Sequence, residues 1–178
     1  MKISHSQCYI KGRFNNQGWR MNQESLFEDL PEVDTGKYEA SMLSNQKFCD
    51  QVEQSLVALG FCEAQGVPSQ NEFLKNVPYT DMYGGIRKAA FLVQHQTLGA
   101  VRIEAHKQEQ SGSVDQKFPF FLESLRLAPE QNLVILLGGK GYKQKAFDWI
   151  KTAASNIQDK QIKVFSDLDE FINFFVSK

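Results

Sequence analysis

The chain has 178 residues, enough for one domain with its own core, and its 20 Lys plus Arg against 21 Asp plus Glu leave a net charge of -1. That balance excludes a whole-protein basic footprint, so any nucleic-acid contact must come from a local patch. No apolar run reaches membrane-spanning length, no charged-then-apolar leader follows Met1, and Cys8, Cys49 and Cys62 lack a CxxC pair. The expectation is a cytoplasmic protein with free thiols and no membrane segment, cysteine metal cluster or internal repeat.

Residues 1–40 scatter His5, Tyr9, Phe14, Trp19 and Phe27 among Asn, Gln, Gly and charges without sustained period. A short strand over Tyr9–Phe14 and a short helix over Gln23–Leu30, ended by Pro31, are expected. The large apolar residues make this an arm packed on the domain or on a partner. Residues 41–178 are then the domain. Its first helix runs from Ser44 to Leu59, where Phe48, Val52, Leu56 and Leu59 recur at helical spacing, with Ser44 or Asn45 as cap and Gly60 past the end. Glu53 sits beside that stripe.

Residues 61–85 break up under Gly66, Pro68, Pro78 and the Gly84-Gly85 pair and read as a loop-rich connection carrying Asp81. Ile86–Val93 then reads as a strand with Arg87 and Lys88 at its start. A turn at Gln96–Gly99 joins it to a strand over Ala100–Glu104, and His95 is expected to be an exposed turn residue. If the two strands are neighbours, position 90 and Glu104 stand side by side. Side chains alternate along a strand, so Glu104 and His106 share one face while Ala105 and Lys107 take the other.

Gln108–Lys117 is polar, with Gly112 between Ser111 and Ser113, and reads as a loop into a helix. That helix carries Val114, Phe118, Phe121, Leu122 and Leu125 on one side as far as Leu127, with Pro119 in its first turn and Lys117 and Arg126 exposed. Leu133–Leu137 is a continuous apolar run, the pattern of a central strand covered on both faces. Gly138-Gly139-Lys140-Gly141 follows. It lacks the spacing of a Walker loop, and with Lys143 and Lys145 it suits either a contact to a DNA backbone or a tight turn with solvated lysines. A helix around Phe147, Ile150, Ala153 and Ala154, a strand at Ile162–Phe165 and a last helix capped by Ser166 and docked by Phe171, Phe174 and Phe175 complete an α/β sandwich with a mixed sheet.

Glu104-Ala105-His106 with Gln108, then Ser111-Gly112-Ser113-Val114-Asp115-Gln116-Lys117-Phe118-Pro119, resembles the E-x-K-x-Q and S-G-S-V-D-E-K-x-P run of a branch of the PD-(D/E)xK nucleases. The resemblance spans roughly residues 48–155 in order of elements. It implies a restriction-endonuclease-like fold, a central mixed sheet flanked by helices, acting on DNA with Mg²⁺ or Mn²⁺, often as a homodimer. Carried over by position, Glu104 matches the family's Glu, His106 falls where its Lys stands, and Ala90 falls where its metal-binding Asp stands. The implied metal set is Glu104 and the main-chain carbonyl of Ala105, with Glu53 or Asp81 as further carboxylates, and His106 orients the water. Lys107, Gln108, Ser111, Ser113, Lys117, Lys140 and Lys143 are the implied nucleic-acid contacts. Two readings stay open: a metal-dependent DNA endonuclease, either silenced by Ala90 or served by another carboxylate that has moved into the site, and a catalytically inactive nuclease-fold subunit that binds DNA or a protein.

Overall fold

The computed structural model describes residues 35–109 and 115–178. The strand and helix expected before Pro31, and Ser111 and Ser113, lie outside them. The order is α1 (Thr35–Ala58), β1 (Cys62–Glu63), β2 (Glu72–Thr80), β3 (Ile86–His95), β4 (Gly99–Lys107), α2 (Phe118–Arg126), β5 (Asn132–Gly138), α3 (Gln144–Ser155), β6 (Gln161–Phe165) and α4 (Leu168–Val176), with a 3-10 turn at Asp115–Lys117 before α2. The strands form one six-stranded sheet in chain order. β2, β3 and β4 are antiparallel neighbours, while β4, β5 and β6 run parallel.

Each face of the sheet has its own core. Phe48, Val52 and Leu56 of α1 and Phe171 and Phe175 of α4 cover one face. Phe118, Phe121, Leu122 and Leu125 of α2 and Phe147 and Ile150 of α3 cover the other. β5 lies between the two layers and is buried from Leu133 to Gly138, which is why it reads as an unbroken apolar run. This is the α/β sandwich with a flanked mixed sheet that the order of elements implies.

Four local expectations are corrected. α1 starts at Thr35 and runs through the boundary placed between 40 and 41, so Ser44 and Asn45 lie inside the helix. Asn45 Oδ1 accepts the Lys107 N–H at 2.8 Å and so ties α1 to the end of β4. The stretch expected as loop contains β2, a nine-residue strand that includes Pro78. β2 pairs with β1 only at Glu72 and Phe73, so among the described residues Pro78 stands where one side of the strand has no strand partner, the place a proline is tolerated. His95 is buried, not exposed: its Nε2 lies 3.2 Å from the Phe175 carbonyl and its Nδ1 accepts from the Thr97 N–H at 3.2 Å. The cap of α4 is Asp167, which accepts from the Asp169 and Glu170 N–H groups, and not Ser166.

One distortion positions the site. Phe73 and Phe91 point into the α1/α4 core, whereas Tyr79 and Ala89, an even number of residues away, point into the α2/α3 core. Both strands therefore change face, and they do so together. Asn76, at φ 54°, falls across from Ala90 between the pairs Lys75↔Phe91 and Val77↔Ala89. Pairing of β3 with β4 also stops at Phe91↔Ile103, while β4 stays paired to β5 as far as Lys107↔Gly138. The sheet thus forks at Ala90 and Glu104.

Candidate functional site

Glu104 is the first residue of β4 beyond the fork, and it is 2% exposed. A buried carboxylate must find partners, and three side chains meet it. Oε1 accepts from the Tyr79 hydroxyl and from Arg87 Nε at 3.2 Å, and Oε2 lies 3.1 Å from His106 Nε2. β2 contributes Tyr79 and β3 contributes Arg87, which reach the α2 side of the sheet because those strands have changed face, and β4 contributes His106, on the face of Glu104. Arg87 Nη2 is also 3.3 Å from His106 Nε2. That nitrogen can donate to Glu104 or accept from Arg87, but not both.

The electrostatics follow from these contacts. Burial pushes the Glu104 carboxyl up, and the hydrogen bond and charge of His106, the charge of Arg87 and the Tyr79 hydroxyl outweigh it, so the group is held below the usual carboxylate range. Burial, then the negative charge of Glu104, drives the Tyr79 hydroxyl up, so it stays a proton donor. The imidazole is fixed from its face, stacked on Phe121 with ring centroids 4.2 Å apart at 9°. Arg87 is held the same way, its guanidinium 4.8 Å from the Phe121 ring and 5.2 Å from that of Phe120.

Two cavities meet this cluster. The smaller, about 180 Å³, is lined by Ala90, Glu104, Ala105 and His106 from the fork and by Cys49 and Glu53 from α1. The larger is a groove of about 710 Å³ on the α2 side, where Arg87, His106, Lys107 and Lys117 meet Tyr83 and Phe120.

The expected site residues divide accordingly. Ala90, Glu104, Ala105, His106 and Glu53 come together around the smaller cavity, with Glu53 bonded to Lys75 at 3.0 Å. Asp81 is not among that cavity's lining: its Oδ1 accepts from the Tyr83 and Gly85 N–H groups, both at 2.9 Å, and shapes the β2–β3 turn. Lys107 and Lys117 line the groove, and Lys107 Nζ is paired with Glu109 at 2.6 Å. Lys140 is exposed, and Lys143, also exposed, stands 3.7 Å from Asp115.

Gln108 closes the glycine turn. Its carbonyl accepts the Gly141 N–H at 2.8 Å, and a Cβ on Gly139, which has φ 85°, would sit 2.2 Å from that carbonyl. Close backbone approach accounts for the glycine cluster there. Sequence reasoning missed Tyr79, Tyr83, Phe120 and the role of Arg87. The available signals were the aromatic residues around Pro78 and Gly84, and a cation three residues before Ala90.

A mixed six-stranded sheet between helix layers, forked where an acid and an imidazole leave one strand, defines the class: an α/β domain of nuclease architecture. A family model described as a PD-(D/E)XK nuclease superfamily domain matches residues 32–177, and the chain belongs to that superfamily. No curated protein matches the chain. The family supports a nuclease-type function in general, and its members typically use divalent metals.

The residues present do not fit such a metal. Glu104 Oε1 already accepts hydrogen bonds from the Tyr79 hydroxyl and from a guanidinium, which puts positive charge where a cation would have to bind, and Oε2 faces His106 Nε2 at 3.1 Å. Position 90 offers a methyl group, and Glu53 is bonded to Lys75. Burial, then the negative charges of Asp50 and Glu104, pushes the Cys49 thiol up. Among the described residues, no group of three His, Cys, Asp or Glu side chains is placed to hold a metal ion. Among them also, no helix is long and apolar enough to cross a membrane.

Proposed function

We propose that this domain binds nucleic acid at the fork and does not cleave it by paired-carboxylate metal chemistry. The observation that carries the reading is the Arg87 guanidinium bonded to Glu104, with Ala90 beside it. A metal shared by two carboxylates neutralises charge on a scissile phosphate and activates water. Here Arg87 supplies fixed positive charge to the carboxylate, and a guanidinium cannot generate a metal-bound hydroxide. The groove beside it keeps the character of a phosphate-binding surface, with Arg87, Lys107, Lys117 and His106 in its wall.

The rival reading, a metal-dependent DNA endonuclease, draws support from Glu53, which lines the same cavity as Glu104 and could stand in for the absent Asp. Against it stands the bond from Lys75 to Glu53.

The two part in one experiment. The protein is incubated with labelled plasmid and with labelled oligonucleotides in Mg²⁺ and in Mn²⁺, and retention and strand scission are scored together. The expected result is salt-dependent binding, weaker as salt rises, with intact strands, and Ala90→Asp alone remains silent because Arg87 still occupies the carboxylate. Cleavage by the unaltered chain that Glu104→Gln abolishes would overturn the proposal.

A further inference from the structure

The β2–β3 turn carries a tyrosine that the fold does not use. Tyr83 is 78% exposed, yet it is held firmly. Asp81 Oδ1 accepts its N–H, the Gly84 N–H donates to the Asp81 carbonyl at 3.0 Å, and one face of its ring stacks on Phe120 with centroids 5.5 Å apart at 17°. A rigid aromatic ring with one face packed and the other in water is an arrangement that a folded core does not require. The stack continues inward: Arg87 lies over both Phe120 and Phe121, and Phe121 stacks on His106. Along the groove between Tyr83 and His106 the lining includes Arg87, Lys107 and Lys117, and among the described residues none that line it is acidic.

We infer that this groove takes a single-stranded segment of nucleic acid, with one unpaired base stacked on the outer face of Tyr83 and the neighbouring phosphates running past Lys117 and Arg87. This rests on the nucleic-acid reading above and adds the substrate class to it. Three observations favour a single strand over a duplex. A base can lie on Tyr83 only if its face is uncovered, and bases in a duplex offer edges, not faces. The ring is pre-positioned by the Asp81 turn, so little ordering is lost on binding. The aromatic run and the cations share one groove, the combination of stacking platform and positive track that single strands need.

The test is fluorescence anisotropy with a labelled oligothymidylate and with a duplex of matching length, together with an oligothymidylate carrying one 2-aminopurine, whose emission is quenched on stacking. The expected result is tighter binding of the single strand and quenching by the wild-type protein. Tyr83→Ala should weaken single-strand binding by about 10- to 100-fold and lose the quenching, while Tyr83→Trp should keep both. The exposure of Tyr83 means that both variants should melt like the wild type.

Duplex bound as tightly as or more tightly than the single strand, or Tyr83→Ala binding like the wild type, would overturn the base-stacking inference and leave nucleic-acid binding standing. No retention of either nucleic acid would overturn both.

Discussion

Two ion pairs stand two residues apart on the same face of β4, and they are built in opposite ways. Arg102 is bonded by two nitrogens to Glu130, at 2.6 and 2.9 Å, and a third donates to the Val77 carbonyl at 2.9 Å. Its side chain is 3% exposed and that of Glu130 is 9% exposed. Glu104, one pleat along, is equally buried, but its partners Arg87 and His106 keep 21% and 22% of their side chains in contact with solvent. Tyr79 touches both pairs, its ring 5.3 Å from the Arg102 guanidinium and its hydroxyl on Glu104. The first pair is saturated and closed, so it can only hold β2, β4 and the approach to β5 together. The second faces a groove through its cations, so it can meet a ligand. Burial of the acid alone does not separate a structural pair from a functional one; the exposure of its partners does.

The sharpest way to break this contrast is Arg102→Ala. It leaves Glu130 without its partner and should cost about 3–5 kcal/mol in urea unfolding, with nucleic-acid affinity of the folded protein unchanged. Arg87→Ala should cost less, about 2 kcal/mol, because Tyr79 and His106 remain on Glu104, but it should lower nucleic-acid affinity and flatten its salt dependence.

A pH series sharpens the comparison further. The Glu104 carboxyl is held below its unfolded value of about 4.3, so its contribution to stability is complete above that value and is lost as pH falls through the folded one. Urea midpoints should drop on acidification below about pH 4 in the wild type, and Glu104→Gln should remove that part of the slope. The smallest effect is expected for Asp81→Ala, about 1 kcal/mol or less, since the two exposed turn amides can bond to water. Its signature is weaker single-strand binding by the same factor in Mg²⁺ and in EDTA, whereas a metal-binding role for Asp81 would make the loss depend on the ion.

Much of the frame was legible because it depends on local pattern. The apolar run of β5 and the helical spacing of Phe147 and Ile150 in α3 and of Phe171 and Phe175 in α4 survive without knowledge of neighbours. The Glu104–His106 pairing was legible for the same reason, since strand alternation alone puts them on one face. β2 was not legible, because Asn76 at positive φ and Pro78 destroy the alternation that announces a strand. His95 was misplaced because its burial comes from Phe175, 80 residues away.

The Arg87 and Tyr79 contacts were hidden for a related reason. Both depend on β2 and β3 changing face across Asn76 and Ala90, which no periodicity records. The glycine cluster left open a backbone contact to DNA and a tight turn, and the Gln108 carbonyl that approaches Gly139 accounts for the turn.

The central claim is that Glu104 answers to Arg87 and not to a metal ion. It is tested most directly by calorimetric titration of the unaltered protein with Mn²⁺ and with Mg²⁺, free of nucleic acid. The account predicts no saturable site for either ion, and the same flat trace from Glu104→Gln. A single saturable site in the wild type that Glu104→Gln abolishes would contradict it.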